Sequence, residues 1–140
     1  MFQSQKERIK ELRAWAKDNL IGKEVEHPEF PEKIGFTNTG IKEFLNQPHC
    51  NYHAKNESLI FIIDLIQASK VVHEAPDIKG NTNHHFYYLE SIIENLSSFI
   101  VIRHTMKDNK YTLYSMVDKL KKPVKPTTKD MQSNTESLPV

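Results

Sequence analysis

Cysteine is almost missing from this 140-residue chain: Cys50 stands alone. No internal disulfide can form, and CxxC metal or redox motifs are excluded, which fits a reducing compartment. A long apolar run is also missing. The longest, Leu59 to Ile66, is interrupted by Asp64, well short of a membrane span. The first residues, Met-Phe-Gln-Ser-Gln-Lys-Glu-Arg, read as a charged helix without the apolar centre of a signal peptide. A soluble, cytoplasmic protein with no membrane partner is expected. Strong charge of either sign is absent too, the formal net charge being +1, so a polybasic, histone-like binder is ruled out. No internal repeat is visible.

What is present divides unevenly. Residues 49 to 100 carry three lysines against six acids, whereas residues 101 to 122 carry six basic residues against two acids. Such a basic edge attracts anionic ligands, although a solvated strand end is the commoner explanation. The length allows one domain and a tail.

Residues 5 to 20 form an amphipathic helix by pattern, with Ile9, Leu12, Trp15, Ala16 and Leu20 at helical spacing and Gly22 as a C-cap. Two short strands are expected at Lys23 to His27 and Lys33 to Thr37. Asn38-Thr39-Gly40 then opens a helix with Ile41, Phe44 and Leu45 on one face, and Pro48 ends it. A single helix from Asn51 to Ser69 follows, with Asn51 as cap. Strands are expected at Lys70 to Glu74, His85 to Glu94, Ser98 to Thr105 and Lys110 to Val117, the last three joined by hairpin-length connections. The fold class is α+β: helices on one face of a four-stranded antiparallel sheet, preceded by an extra N-terminal helix (1–21). The polar stretch 121–140 reads as a disordered tail.

Four side chains that carry or accept protons, Lys42, His49, His53 and Lys55, fall within fourteen positions around the Pro48 break. His53, in the first turn of its helix, lies in a field that favours its neutral form and use as a base. His49 and His53 are four apart, a zinc spacing when both share one helix face. Pro48 and the Asn51 cap place His49 outside that helix, no nearby Cys or Asp offers a convincing third ligand, and the Glu of an HExxH motif is missing. No metal and no cofactor are expected.

Certain runs together resemble one family: Gly-Ile-Lys with Asn-Gln-Pro-His, Tyr-His-Ala-Lys-Asn-Glu, Ala-Pro-Asp-x-Lys-Gly, Phe-Tyr-Tyr-Leu-Glu, Phe-Ile-Val-Ile-Arg and Leu-Tyr-Ser-Met-Val-Asp. They are similar to the phage-associated branch of the barnase, EndoU, colicin and RelE-like (BECR) nucleases, over residues 22–120. The resemblance implies a BECR-like domain of two helices on a four-stranded antiparallel sheet, and metal-independent endoribonuclease activity. One departure is Glu43 after Lys42, where the family commonly has a second basic residue.

Such cleavage needs a base for the ribose 2′-OH, an acid for the leaving 5′-oxygen, and a cation beside the phosphorane. The candidate catalytic set is Lys42, His49, His53, His85 and Arg103, with Lys42 and Arg103 holding phosphate and the histidines moving protons. Lys55, Tyr87, Tyr114 and Ser115 are candidate substrate-binding residues, rings stacking on unpaired bases. His27, His73 and His104 read as structural or exposed. RNA, including tRNA, is the expected substrate, and a toxin of this kind would have a neutralising protein partner. The alternative is a non-catalytic RNA- or protein-binding module, or an appendage of a phage structural assembly. The cleavage reading requires the imidazoles and the guanidinium to share one pocket.

Overall fold

The computed structural model describes residues 4–77 and 83–120. The expected tail (121–140) and most of the loop from Ile78 to Asn83 lie outside the described residues. The elements are helix α1 (Gln5–Asn19), strands β1 (Glu24–Val25) and β2 (Ile34–Gly35), and helices α2 (Asn38–Asn46), α3 (Tyr52–Glu57) and α4 (Ile62–Ala68). Four longer strands follow: β3 (Lys70–Pro76), β4 (His84–Ile93), β5 (Leu96–Thr105) and β6 (Lys110–Val117).

The class is α+β as expected, but the four-stranded antiparallel sheet is a misreading. The two short strands join the others in one six-stranded mixed sheet, ordered β1-β2-β6-β5-β4-β3. The pairing of β2 with β6 is parallel, Ile34 opposite Tyr111 and Gly35 opposite Thr112. Residues 34 and 111 are far apart in sequence, so no local signal announces that contact, whereas the β4–β5 hairpin has one. Glu94 and Asn95 both take positive φ, 47° and 68°, the condition for a tight two-residue turn that matches strand twist.

The helix expected over residues 51–69 is also divided. A 3-10 turn at Ser58–Phe61 separates α3 from α4, letting Leu59, Ile62 and Ile66 all reach the core fully buried. The predicted Asn51 cap operates, its side chain accepting the Ala54 N–H; α1 is capped at its end by Leu20 rather than Gly22, and at its start by a reciprocal capping box of Ser4 and Glu7. Leu12, Ala16 and Leu20 of α1 enter the same core as the sheet residues Leu89, Ile100, Ile102, Leu113 and Met116. A forked ion pair from Arg8 to Glu57 (2.6 Å) ties α1 to α3; the Glu57 carboxylate raises the Arg8 pKa further, and the guanidinium holds Glu57 below the usual range.

Helix and sheet come close at Gly40, which faces the Leu113 carbonyl of β6 with no space for a Cβ. That contact fixes α2 along β6. Lys55, expected to touch substrate, instead lies fully buried beneath α2. Its ammonium donates to the Phe44 carbonyl and lies over the Phe44 and Tyr52 rings, 5.3 and 4.7 Å from their centroids. Burial lowers its pKa to about 7.

Candidate functional site

Successive residues of a strand point to opposite faces of the sheet. One set faces the helices. The other builds a second cluster, in which Ala75, Tyr88, Val101 and Val117 are buried and Phe86, Phe99, Tyr114 and Leu120 pack around them. Two β-bulges shape this helix-free face. Between β3 and β4 the register skips Val72, so that His73 rather than Val72 stands opposite Tyr88. Between β5 and β6 the register passes from Val101–Ser115 to Ile102–Leu113, leaving Tyr114 as the extra residue. Bulges commonly re-aim a side chain near a binding site, and here they place His73 and Tyr114 on the same face as Arg103.

The Arg103 guanidinium carbon stands 4.9 Å from the Tyr114 ring centroid. The Phe86 ring is 5.4 Å from Tyr114, tilted by 54°, and His73 is 5.4 Å from Tyr88. At the strand end His84 Nδ1 is 3.5 Å from the Asp77 carboxylate. Two side-chain nitrogens on this face, Arg103 Nε and His73 Nε2, are buried without a hydrogen-bond partner. The Tyr114 pKa is raised, first by burial and then by the Glu43 carboxylate, with Arg103 pulling the other way; burial raises Tyr88 as well. Glu43, the departure noted in the sequence, thus reaches this face electrostatically.

The sequence-predicted catalytic residues do not meet in one pocket. Arg103 is on the helix-free face, opposite Phe86, whereas the adjacent His85 points to the other face. His49 lies between α2 and α3, its Nε2 2.9 Å from Ser98 Oγ and its Nδ1 accepting the Asn51 N–H at 2.9 Å. Ser98 pairs with Ser91, six residues along the strand from His85, or roughly 20 Å. Lys42 and His53 are exposed on α2 and α3. Of the expected substrate contacts only Tyr114 lies on the helix-free face and partly exposed. Ser115 is 3% exposed, and Tyr87 points the other way, 5.2 Å from Phe30 and 6.1 Å from Tyr111.

The structure does bring His85 together with a histidine that sequence reasoning set aside. His85 and His104 are direct cross-strand partners. His85 Nε2 is 3.0 Å from Glu74 Oε1, and His104 Nε2 is 2.9 Å from Asn109 Oδ1. The His104 ring stacks on Tyr111 at 4.0 Å, and Tyr111 lines a groove with Lys23, Lys33 and Lys110 as well as Glu24 and Glu32. Period-two alternation pairs residues on one face, but the register that makes 85 and 104 neighbours depends on the hairpin turn.

A third grouping is at the opposite strand end. The Cys50 N–H donates to Asp118 Oδ2 at 2.7 Å, and ligand atoms of His49, Cys50 and Asp118 all lie within 4.8 Å of one another. Burial holds the His49 pKa below its ordinary value. The Cys50 N–H lowers that of Asp118, and Asp118 in turn raises the Cys50 thiol.

These features define an α+β domain with one sheet face closed by helices and the other carrying partly buried rings and an arginine. By its sequence the chain belongs to the large polyvalent protein-associated domain 3 family, whose model matches residues 3–121. That membership supports the phage-associated setting expected from the sequence, at the level of a polyvalent-protein-associated domain. No curated protein and no solved structure matches the chain. Among the described residues, no helix is long and apolar enough to cross a membrane.

Proposed function

We propose that this domain binds single-stranded RNA on the helix-free face of its sheet. Phe86 and Tyr114 supply rings on which bases stack, and Arg103 supplies the cation for a phosphate. The observation that carries this reading is the Arg103–Tyr114 pair. The guanidinium is held against a ring that a bulge has turned outward, and its Nε has no acceptor. A buried donor left unpaired costs about 1–3 kcal/mol, a cost that a phosphate oxygen would remove. As part of a larger polyvalent protein, such a module would hold RNA near other activities.

The test is fluorescence anisotropy with a labelled ten-nucleotide single-stranded RNA. Stacking is worth about 1–3 kcal/mol per base, so Tyr114→Leu should weaken binding about tenfold or more. With one or two phosphates neutralised, the logarithm of affinity should fall with log salt at a slope of about −0.7 to −1.4. Equal binding by a Tyr114→Leu, Arg103→Met double variant would reject the reading.

The cleavage reading, with its kinship to the BECR nucleases, stands second on one observation. His85 and His104 face each other, each oriented by an acceptor, which is the arrangement an acid–base pair needs. Incubation with RNA in EDTA should then give ends bearing 2′,3′-cyclic phosphate, lost in His104→Gln. Intact RNA after prolonged incubation retires that reading.

A further inference from the structure

We propose that His49, Cys50 and Asp118 form a binding site for one zinc ion, at the strand end where the α2–α3 connection meets the residue after β6. The three donors are an imidazole nitrogen, a thiolate sulfur and a carboxylate oxygen, a set that zinc accepts in four-coordinate sites. Their ligand atoms lie within 4.8 Å of one another, and His49 Nδ1 is 4.0 Å from Cys50 Sγ. Zinc bonds of about 2.0–2.3 Å in tetrahedral geometry require donors roughly 3.3–3.7 Å apart. Side-chain rotations close that difference.

The surroundings match a ligand set in two respects. The opposite nitrogen of the imidazole, Nε2, is 2.9 Å from Ser98 Oγ, on a serine that is 0% exposed. A metal-bound histidine characteristically donates its other N–H in this way, fixing ring and tautomer. The Asp118 carboxylate is likewise held, through Oδ2, by the Cys50 N–H at 2.7 Å, which leaves its second oxygen for the metal. Binding would replace the Asn51 N–H contact at Nδ1 and release the thiol proton to solvent. Cys50 is exposed, so the fourth position opens to water. Sequence reasoning weighed only His49 with His53 and set Cys50 aside, and spacing gave no sign of Asp118, which is 68 residues from Cys50 along the chain.

This site is far along the strands from His85 and does not depend on the RNA-binding reading. Its test uses the full chain in a non-thiol reductant, titrated with Co²⁺ and then displaced by Zn²⁺. We expect saturation at one ion per chain, with a thiolate-to-cobalt charge-transfer band in the near ultraviolet and zinc displacing it. Cys50→Ser should abolish that band. Asp118→Asn, which keeps an acceptor for the Cys50 N–H and so keeps the fold, should weaken binding at least tenfold. Absence of a saturable band in the native chain, or equal affinity in a Cys50→Ser, Asp118→Asn double variant, overturns the proposal.

Discussion

The two faces of the sheet are built from alternate residues of the same four strands, yet they are made of different materials. The face under the helices is aliphatic over most of its area, with Leu89, Ile100, Ile102, Leu113 and Met116 each 0% exposed, and carries the rings of Tyr87 and Tyr111 toward one strand end. The other face is aromatic and polar, with Phe86, Tyr88, Phe99, Tyr114, His73 and Arg103. Branched aliphatic side chains fill space at crystal-like density and leave no polar atom to satisfy. Rings with a polar edge and an arginine laid across one of them can remain half-exposed without large cost. On the RNA-binding proposal, the first face serves closure and the second serves contact with a ligand.

The most severe way to break the first face is at Gly40. A Cβ there would overlap the Leu113 carbonyl oxygen, which is backbone and cannot turn aside. Gly40→Ala should therefore push α2 off β6 and cost about 3 kcal/mol or more, read as a lowered midpoint in urea unfolding. A variant as stable as the native chain would mean that α2 is not seated as described. A ring removed from the helix-free face should cost much less.

That asymmetry was only partly visible in the sequence. Alternation along β5 correctly separated Arg103 from His104, and hairpin spacing gave three of the long strands within two residues of their ends. Alternation alone, however, does not say which parity meets the helices, and the rings of Tyr87 and Phe86 looked equally suited to either side. The bulges at Val72 and Tyr114 shift parity along their strands, so His73 and Tyr114 changed neighbours without any residue marking the place. Lys55 misled for another reason. A lysine near a helix start reads as solvent-facing, since burying its charge is costly, and only the tertiary structure supplies the Phe44 carbonyl and two rings that receive it. His49 and Asp118 belong to the same class of miss, being joined by topology rather than spacing.

Lys55 also gives the next prediction, because it is a charge inside the closed face. Its pKa is about 7 when folded, against about 10.4 in the unfolded chain. Between those values the unfolded state binds more protons, so stability rises with pH from about 7 toward 10.4, and below 7 that gain is absent. From pH 7 to pH 9 the native chain should become about 2 kcal/mol more stable on this account. Lys55→Met, which keeps the volume and removes the ammonium, should flatten that rise and be the more stable protein at pH 7. Denaturant unfolding of both chains at the two pH values is the measurement. Parallel curves would place the titrating group elsewhere.

Arg103 on the opposite face should respond in the reverse sense, with the smallest change in stability and the clearest loss of binding. Its Nε contributes no internal hydrogen bond, and its contact with Tyr114 is a cation resting on a ring at a partly exposed site, worth about 0.5–1 kcal/mol. Arg103→Met retains a long side chain over the same ring while removing both the charge and the unpaired donor. The two losses oppose each other, so the unfolding midpoint should move by no more than about 0.5 kcal/mol in either direction. RNA affinity, in contrast, should fall and its salt dependence become shallower by about one phosphate. If the variant instead unfolded as readily as Gly40→Ala, Arg103 would be part of the scaffold, and the helix-free face would be a second core rather than a surface built for a ligand.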